Sequence, residues 1–97
     1  MYSSIFDKPV IDIVETGKNI RNLRIKSGIS VRTLQTIFSF TYPQAIYNWE
    51  HGVDIPKIDN LLVLAQLFDV RVEDLIVTKT VEVEVDTNDY AELKKYA

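Results

Sequence analysis

Four side chains that can all hydrogen-bond, Gln44, Tyr47, Asn48 and His51, share one face of a single predicted helix, because spacings of three and four residues bring helical side chains together. Gln44 and Asn48 carry amides, each a donor beside an acceptor, and that pair of groups suits the N6 and N7 of adenine. On the other side, Tyr42, Ile46 and Trp49 recur at spacings of four and three, which makes an apolar stripe for a core. Gly52, just beyond His51, is the usual left-handed stop. A polar helix face taken alone is more often solvated than a reading surface. Its surroundings therefore decide what it does.

Those surroundings are a second helix, very close in sequence. Ser30 is a good N-cap, and Ile29 before it can pack on Leu34 as a hydrophobic staple. Val31, Leu34 and Phe38 then fall on one helical face. Thr41 with Gln44 three residues later reads as a capping box, and Pro43 is tolerable in a first turn. On that reading Gln44 has a purely structural alternative, as the partner of the cap. Ser39, Phe40 and Thr41 remain for the turn, and the next helix spans 42–51. Helix, three-residue turn, helix is the geometry that can place one helix in a DNA groove.

The remaining segments predict a bundle around this pair. A first helix over 11–26 has the stripe Ile13 or Val14, Gly17, Ile20, Leu23 (or Arg24) and Ser27, with Gly28 ending it. Gly17 either admits a neighbouring helix closely or marks the true helix start. Pro56 in a first turn opens a fourth helix whose buried face is Ile58, Leu61, Leu62, Ala65 and Phe68. Asp69, Val70 and Arg71 link it to a last helix over 72–76. Five helices with links this short give a compact all-α bundle. In the tail, Val81, Val83 and Val85 alternate with Glu82, Glu84 and Asp86, a strand signal. After Asn88 or Asp89 as a cap, Tyr90, Leu93 and Ala97 suggest a short helix. A lone strand needs a partner edge. The candidates are residues 3–6 of the same chain or the same strand of a second copy, and the remaining option is a frayed end.

Residues 17–78 resemble the helix-turn-helix domain of the XRE family, the Cro and lambda-repressor type of regulators. The matching pieces are Ile20-Arg21-Asn22-Leu23-Arg24, Ser27-Gly28-Ile29-Ser30-Val31, Leu34, Ile46, Trp49-Glu50-x-Gly52, Pro56, Leu61-Leu62, Leu64-Ala65 and Phe68-x-Val70-x-Val72-x-x-Leu75. Two departures stand out: Ser39 and Phe40 make the turn one residue longer than the commonest spacing, and Pro43 stands where the family often has a base-reading polar residue. The resemblance implies that helix 42–51 enters the major groove, with Gln44, Tyr47, Asn48 and His51 at base edges and Tyr42 and Pro43 at the groove-facing tip. Arg32 and Lys57 match positions where relatives grip phosphates. Arg24 and Glu50 match a structural charge pair that joins the first helix to the end of the third.

Composition limits the alternatives. The 97 residues carry a formal net charge of -3 and no cysteine. Disulfides and zinc-finger ligand sets are therefore excluded, in keeping with a reducing cytoplasm. No apolar run is long enough to span a membrane, and no secretory signal pattern opens the chain. The charge is unevenly placed. Residues 17–52 carry Lys18, Arg21, Arg24, Lys26 and Arg32 against Glu50 alone, whereas 1–16, 53–78 and 79–97 are each net acidic. Positive charge is thus confined to the segment that would face phosphates.

Enzymatic readings fail for lack of parts. His51 is the only histidine, no glycine-rich loop joins a strand to a helix, and Glu73 and Asp74 are adjacent on a helix, so their side chains diverge. No catalytic residue, metal ligand or cofactor site is expected. The expectation is an N-terminal extension (1–16), a DNA-binding domain (17–78) and a strand-helix tail (79–97) that serves dimerisation or a protein partner. The function expected is that of a sequence-specific double-stranded-DNA-binding regulator, a dimeric repressor. The alternative is an antitoxin-like or phage anti-regulator module that kept the fold with weak or no DNA binding.

Overall fold

The computed structural model describes residues 3–95. Along the chain run β1 (Ser3–Ile11), α1 (Ile13–Lys26), α2 (Val31–Ile37), α3 (Gln44–Glu50), α4 (Ile58–Phe68), α5 (Val72–Leu75), β2 (Thr78–Asp86) and α6 (Thr87–Lys94). Helices α1 to α5 form the bundle. β1 pairs antiparallel with β2, from Ser3 opposite Asp86 to Ile11 opposite Thr78. The fold is therefore a helical domain with a two-stranded sheet, and the all-α expectation is corrected. The reason is local: the apolar residues of β1 come in adjacent pairs, Ile5-Phe6 and Val10-Ile11, which carry no alternation to read.

The strand expected in the tail finds its partner in the same chain, over nine residues instead of 3–6. Its helix starts one residue earlier than expected, with the Asp86 carboxylate accepting from the Asn88 N–H at 2.8 Å in place of a cap at Asn88 or Asp89. Ala97, assigned to that helix, lies outside the described residues. The molecule measures 56 × 22 × 22 Å with a radius of gyration of 17.6 Å, against about 12.5 Å for a compact domain of this length. The bundle is compact, but the ribbon makes the whole chain long.

Ile20, Leu34, Ile46, Leu64 and Leu75 are fully buried at the centre of the bundle, with Trp49, Leu61, Ala65 and Phe68 around them. The buried face of α4 is thus Leu61, Leu64, Ala65 and Phe68. Ile58 and Leu62, expected inside, are 69% and 56% exposed. Pro56 is buried but precedes α4, because Lys57 is extended and serves as its N-cap.

α1 begins at Ile13, later than expected, because the Asp12 carboxylate caps it by accepting from the Glu15 N–H at 3.1 Å. Gly17 is therefore inside the helix. A Cβ there would collide with the carbonyl oxygen of Trp49 and lie 3.1 Å from that of Glu50, so glycine is what lets α1 rest on the end of α3. One turn earlier, buried Thr16 holds the base of the ribbon. Its hydroxyl accepts from the Val77 N–H at 2.9 Å and donates to the Val77 carbonyl at 3.2 Å. Asn19 donates to the carbonyls of Asp74 and Leu75 at 2.7 and 3.1 Å, which ties α1 to α5.

Candidate nucleic-acid interface

Ser30 caps α2 as its sequence suggests, its hydroxyl accepting from the Thr33 N–H at 3.1 Å. The turn after α2 is longer than three residues. Ser39 takes a left-handed φ of 55°, a conformation open to small polar residues at some cost. Phe40, the additional residue, packs inward. Its ring stacks on Phe38 with centroids 5.3 Å apart and meets Trp49 edge-on at 5.9 Å. The Phe40 N–H donates to the Gln35 carbonyl at 3.0 Å, and the Gln35 amide donates to the Thr41 carbonyl at 3.1 Å. Held this way, residues 39–43 cannot begin a helix, and α3 opens at Gln44.

Three expectations change as a result. Pro43 is the N-cap of α3 and offers no side-chain bond, so the Thr41–Gln44 capping box does not form. Tyr42 is 74% exposed ahead of the helix instead of sharing the buried stripe. His51 is the C-cap, and Gly52 follows at φ 70°. The inward face of α3 is Ile46, Trp49 and Glu50, all buried.

The outward face carries two pairs, each spaced by four residues. The Gln44 amide donates to the Asn48 side-chain oxygen at 2.8 Å. Tyr47 and His51 stack with ring centroids 6.2 Å apart and planes at 18°. Gln44, Tyr47 and His51 are exposed and Asn48 is half-buried. The surface is one of amides, a phenol and an imidazole.

Cations flank it. Arg32 is exposed in the first turn of α2 and, with Gln35, Thr36, Ser39, Phe40 and Thr41, lines an open cavity of about 310 Å³ against the turn. Lys57, exposed at the N-cap of α4, borders a second cavity of about 240 Å³ with Phe40, Trp49 and Asp54. Neither cation has an ion-pair partner among the described residues. The polar lining beside Arg32 was missed by sequence reasoning. Gln35, Thr36 and Ser39 follow Arg32 at helical spacing, and that spacing was the available signal.

Behind this surface, Arg24 of α1 meets Glu50 in a two-pronged ion pair. Its Nε donates to Oε2 at 2.7 Å and its Nη2 to Oε1 at 3.0 Å, while Nη1 donates to the Ile29 carbonyl at 3.1 Å. The Arg24 and Glu50 side chains are 12% and 3% exposed. Hydrogen bonding to Glu50 holds the Arg24 guanidinium above its ordinary pKa, outweighing the opposite effect of burial. The exposed Arg21 lies farther from the same carboxylate, at 4.0 Å. The pair faces the interior between α1 and α3, so it orients α3 without reaching a ligand.

A helix-turn-helix family model matches residues 20–75. No curated protein matches the chain. Among solved structures, the restriction-modification controller protein C.AhdI from Aeromonas hydrophila is 30% identical; the likeness covers 66% of this chain and 96% of that one, with a TM-score of 0.56. The DNA-binding domain of BldD is 19% identical over 68% of this chain and 94% of its own, with a TM-score of 0.57. The S. venezulae BldD DNA-binding domain, also 19% identical, is covered to 97% with the same TM-score. At that identity the likeness is one of fold. β1, β2 and α6 lie outside residues 20–75, where the family model matches.

Proposed function

The chain belongs to the XRE family of helix-turn-helix DNA-binding transcription regulators, not to the enzymes, and on that premise we propose that it is a dimeric, sequence-specific repressor that reads double-stranded DNA with α3. The carrying observation is the division of α3. Ile46, Trp49 and the Arg24-bound Glu50 fix its inner side, and Gln44, Tyr47, Asn48 and His51 stand outward together. Gln44 and Asn48 face base edges, where an amide discriminates adenine by its paired donor and acceptor. Tyr42 and Pro43 precede them at the tip of α3 and meet sugar or a thymine methyl. Arg32 and Lys57 bind phosphates on either side, which sets register without reading sequence. Two copies read half-sites about 34–36 Å apart.

The acidic overall balance means that random DNA is held weakly, and specific contacts and assembly supply the rest. Selection of binding sites from random duplexes tests this directly. Enrichment of a two-fold symmetric site is expected, and no enrichment would overturn the reading.

A second reading is a protein-interaction module on the same fold. The observation in its favour is that Asp54 is exposed in the loop before Lys57, and that Gln44 and Asn48 already satisfy one another. Steep salt dependence of binding to one selected sequence supports the repressor; its absence supports the module.

A further inference from the structure

We infer that the β1–β2 ribbon and α6 form a docking arm whose apolar face closes on the same face of a second copy of this chain. Register decides the two faces, because residues directly opposite in an antiparallel pair point the same way. Phe6 opposite Val83, Ser4 opposite Val85 and Lys8 opposite Val81 place Phe6, Val81, Val83 and Val85 on one side, with Val10 farther down. Asp7 opposite Glu82 and Ile5 opposite Glu84 place four carboxylates, Asp7, Glu82, Glu84 and Asp86, on the other. The acidic side faces water. The apolar side is only partly covered by α6: Phe6, Val81 and Leu93 remain 37%, 43% and 51% exposed. Phe6, Tyr90, Leu93 and Lys94 line an open depression of about 160 Å³ there.

Area argues for a partner as large as a second copy. The chain exposes 7080 Å², whereas a folded monomer of 11.2 kDa exposes about 5,700 Å². The surplus of about 1,400 Å² exceeds the ~800 Å² per partner of a standard interface. A two-stranded sheet is also marginal without further packing.

Charge argues for a two-fold arrangement. The apolar face has Lys8 and Lys79 toward the bundle end of the ribbon, and Asp89 and Glu92 flank it on α6 at the far end. An antiparallel two-fold docking lays the lysine end of each arm over the carboxylate end of the other. Edge-to-edge pairing of two β2 strands is the poorer solution. Opposing Lys79 to Glu84 or Asp86 needs an odd register step, which puts valines and glutamates on one face.

The inference deepens the dimer part of the proposed function and leaves the DNA contacts untouched. Sedimentation of the full chain without DNA tests it, comparing wild type with Leu93→Glu, with Phe6→Glu/Leu93→Glu and with Leu62→Glu on the exposed side of α4. The wild type is expected to dimerise, and Leu93→Glu to weaken the dimer at least tenfold with an unchanged helical circular dichroism spectrum. Leu93 is half-exposed in the last turn of α6, so its single variant keeps the test readable should the double variant not fold. A monomeric wild type overturns the inference, as does an unchanged dimer in Leu93→Glu. Loss of the dimer only in Leu62→Glu overturns it too, and moves the interface to α4. Because no DNA is present, failure of base reading in the site selection and failure of the arm are separate results.

Discussion

Removing one member of the Arg24–Glu50 pair is expected to cost more than any substitution on the DNA-facing surface. In Glu50→Ala the guanidinium of Arg24, 12% exposed, loses bonds of 2.7 and 3.0 Å and retains only the Ile29 carbonyl at 3.1 Å. In Arg24→Ala the Glu50 carboxylate, 3% exposed, retains only the distant and exposed Arg21 at 4.0 Å. An unpaired charge left in such a site costs about 3–5 kcal/mol. At about 4–8 °C per kcal/mol for a domain of this size, the melting midpoint falls by at least ~12 °C. Replacing both, as Arg24→Met/Glu50→Leu, removes the buried charges together and should recover most of the loss, so the double-mutant cycle gives a large coupling.

A pH titration is a poor probe of this pair. Arg24 has its folded pKa raised by Glu50, so its contribution is fully present below the unfolded pKa and is lost only as pH rises through the folded one, in strong alkali. Thermal and denaturant melts of the three variants are the assay. Midpoints near wild type for both single variants would refute a buried pair that sets α3 in place.

Gln44→Ala and Asn48→Ala should each relax preference at a defined base pair, at about 1–3 kcal/mol, whereas Lys57→Ala should weaken all sequences alike and reduce the salt slope by about one; competition binding against single-base variants of the selected site separates the two patterns. Gly17→Ala should destabilise by about 1–3 kcal/mol, because the added methyl meets the Trp49 carbonyl and forces α1 off α3; a melt at wild-type temperature would contradict that contact. Thr16→Val, nearly isosteric, leaves the Val77 N–H without its partner and should cost about 1–3 kcal/mol. Hydrogen exchange should then quicken in β1 and β2 first, and equal protection in both proteins would argue that Thr16 does not anchor the ribbon.

The recognition unit was legible because its signals are local. Ser30 stops a preceding turn by offering an oxygen to the Thr33 N–H, and Gly28 and Gly52 take φ values of 71° and 70° that few other residues accept. Periodicity then assigned Ile20, Leu34, Ile46 and Trp49 to the core, where each is found. The polar quartet on α3 followed from helical spacing alone. What these signals lacked was any account of neighbours distant in sequence.

Tertiary packing decided the rest. Phe40 looked like a surplus turn residue, but Phe38 and Trp49 give its ring a place in the core. Burying it there drew the start of α3 from Tyr42 to Gln44 and turned Tyr42 outward. Ile58 and Leu62 fit a buried stripe by spacing, yet no element of this chain comes over them. A strand's identity likewise depends on its partner: β1 has no alternation of its own and exists because β2, some seventy residues later, supplies the hydrogen-bonding edge. Helical caps and stripes are written within a few residues, whereas a sheet edge, a helix boundary under packing and the exposed side of a helix depend on contacts that only the folded chain creates.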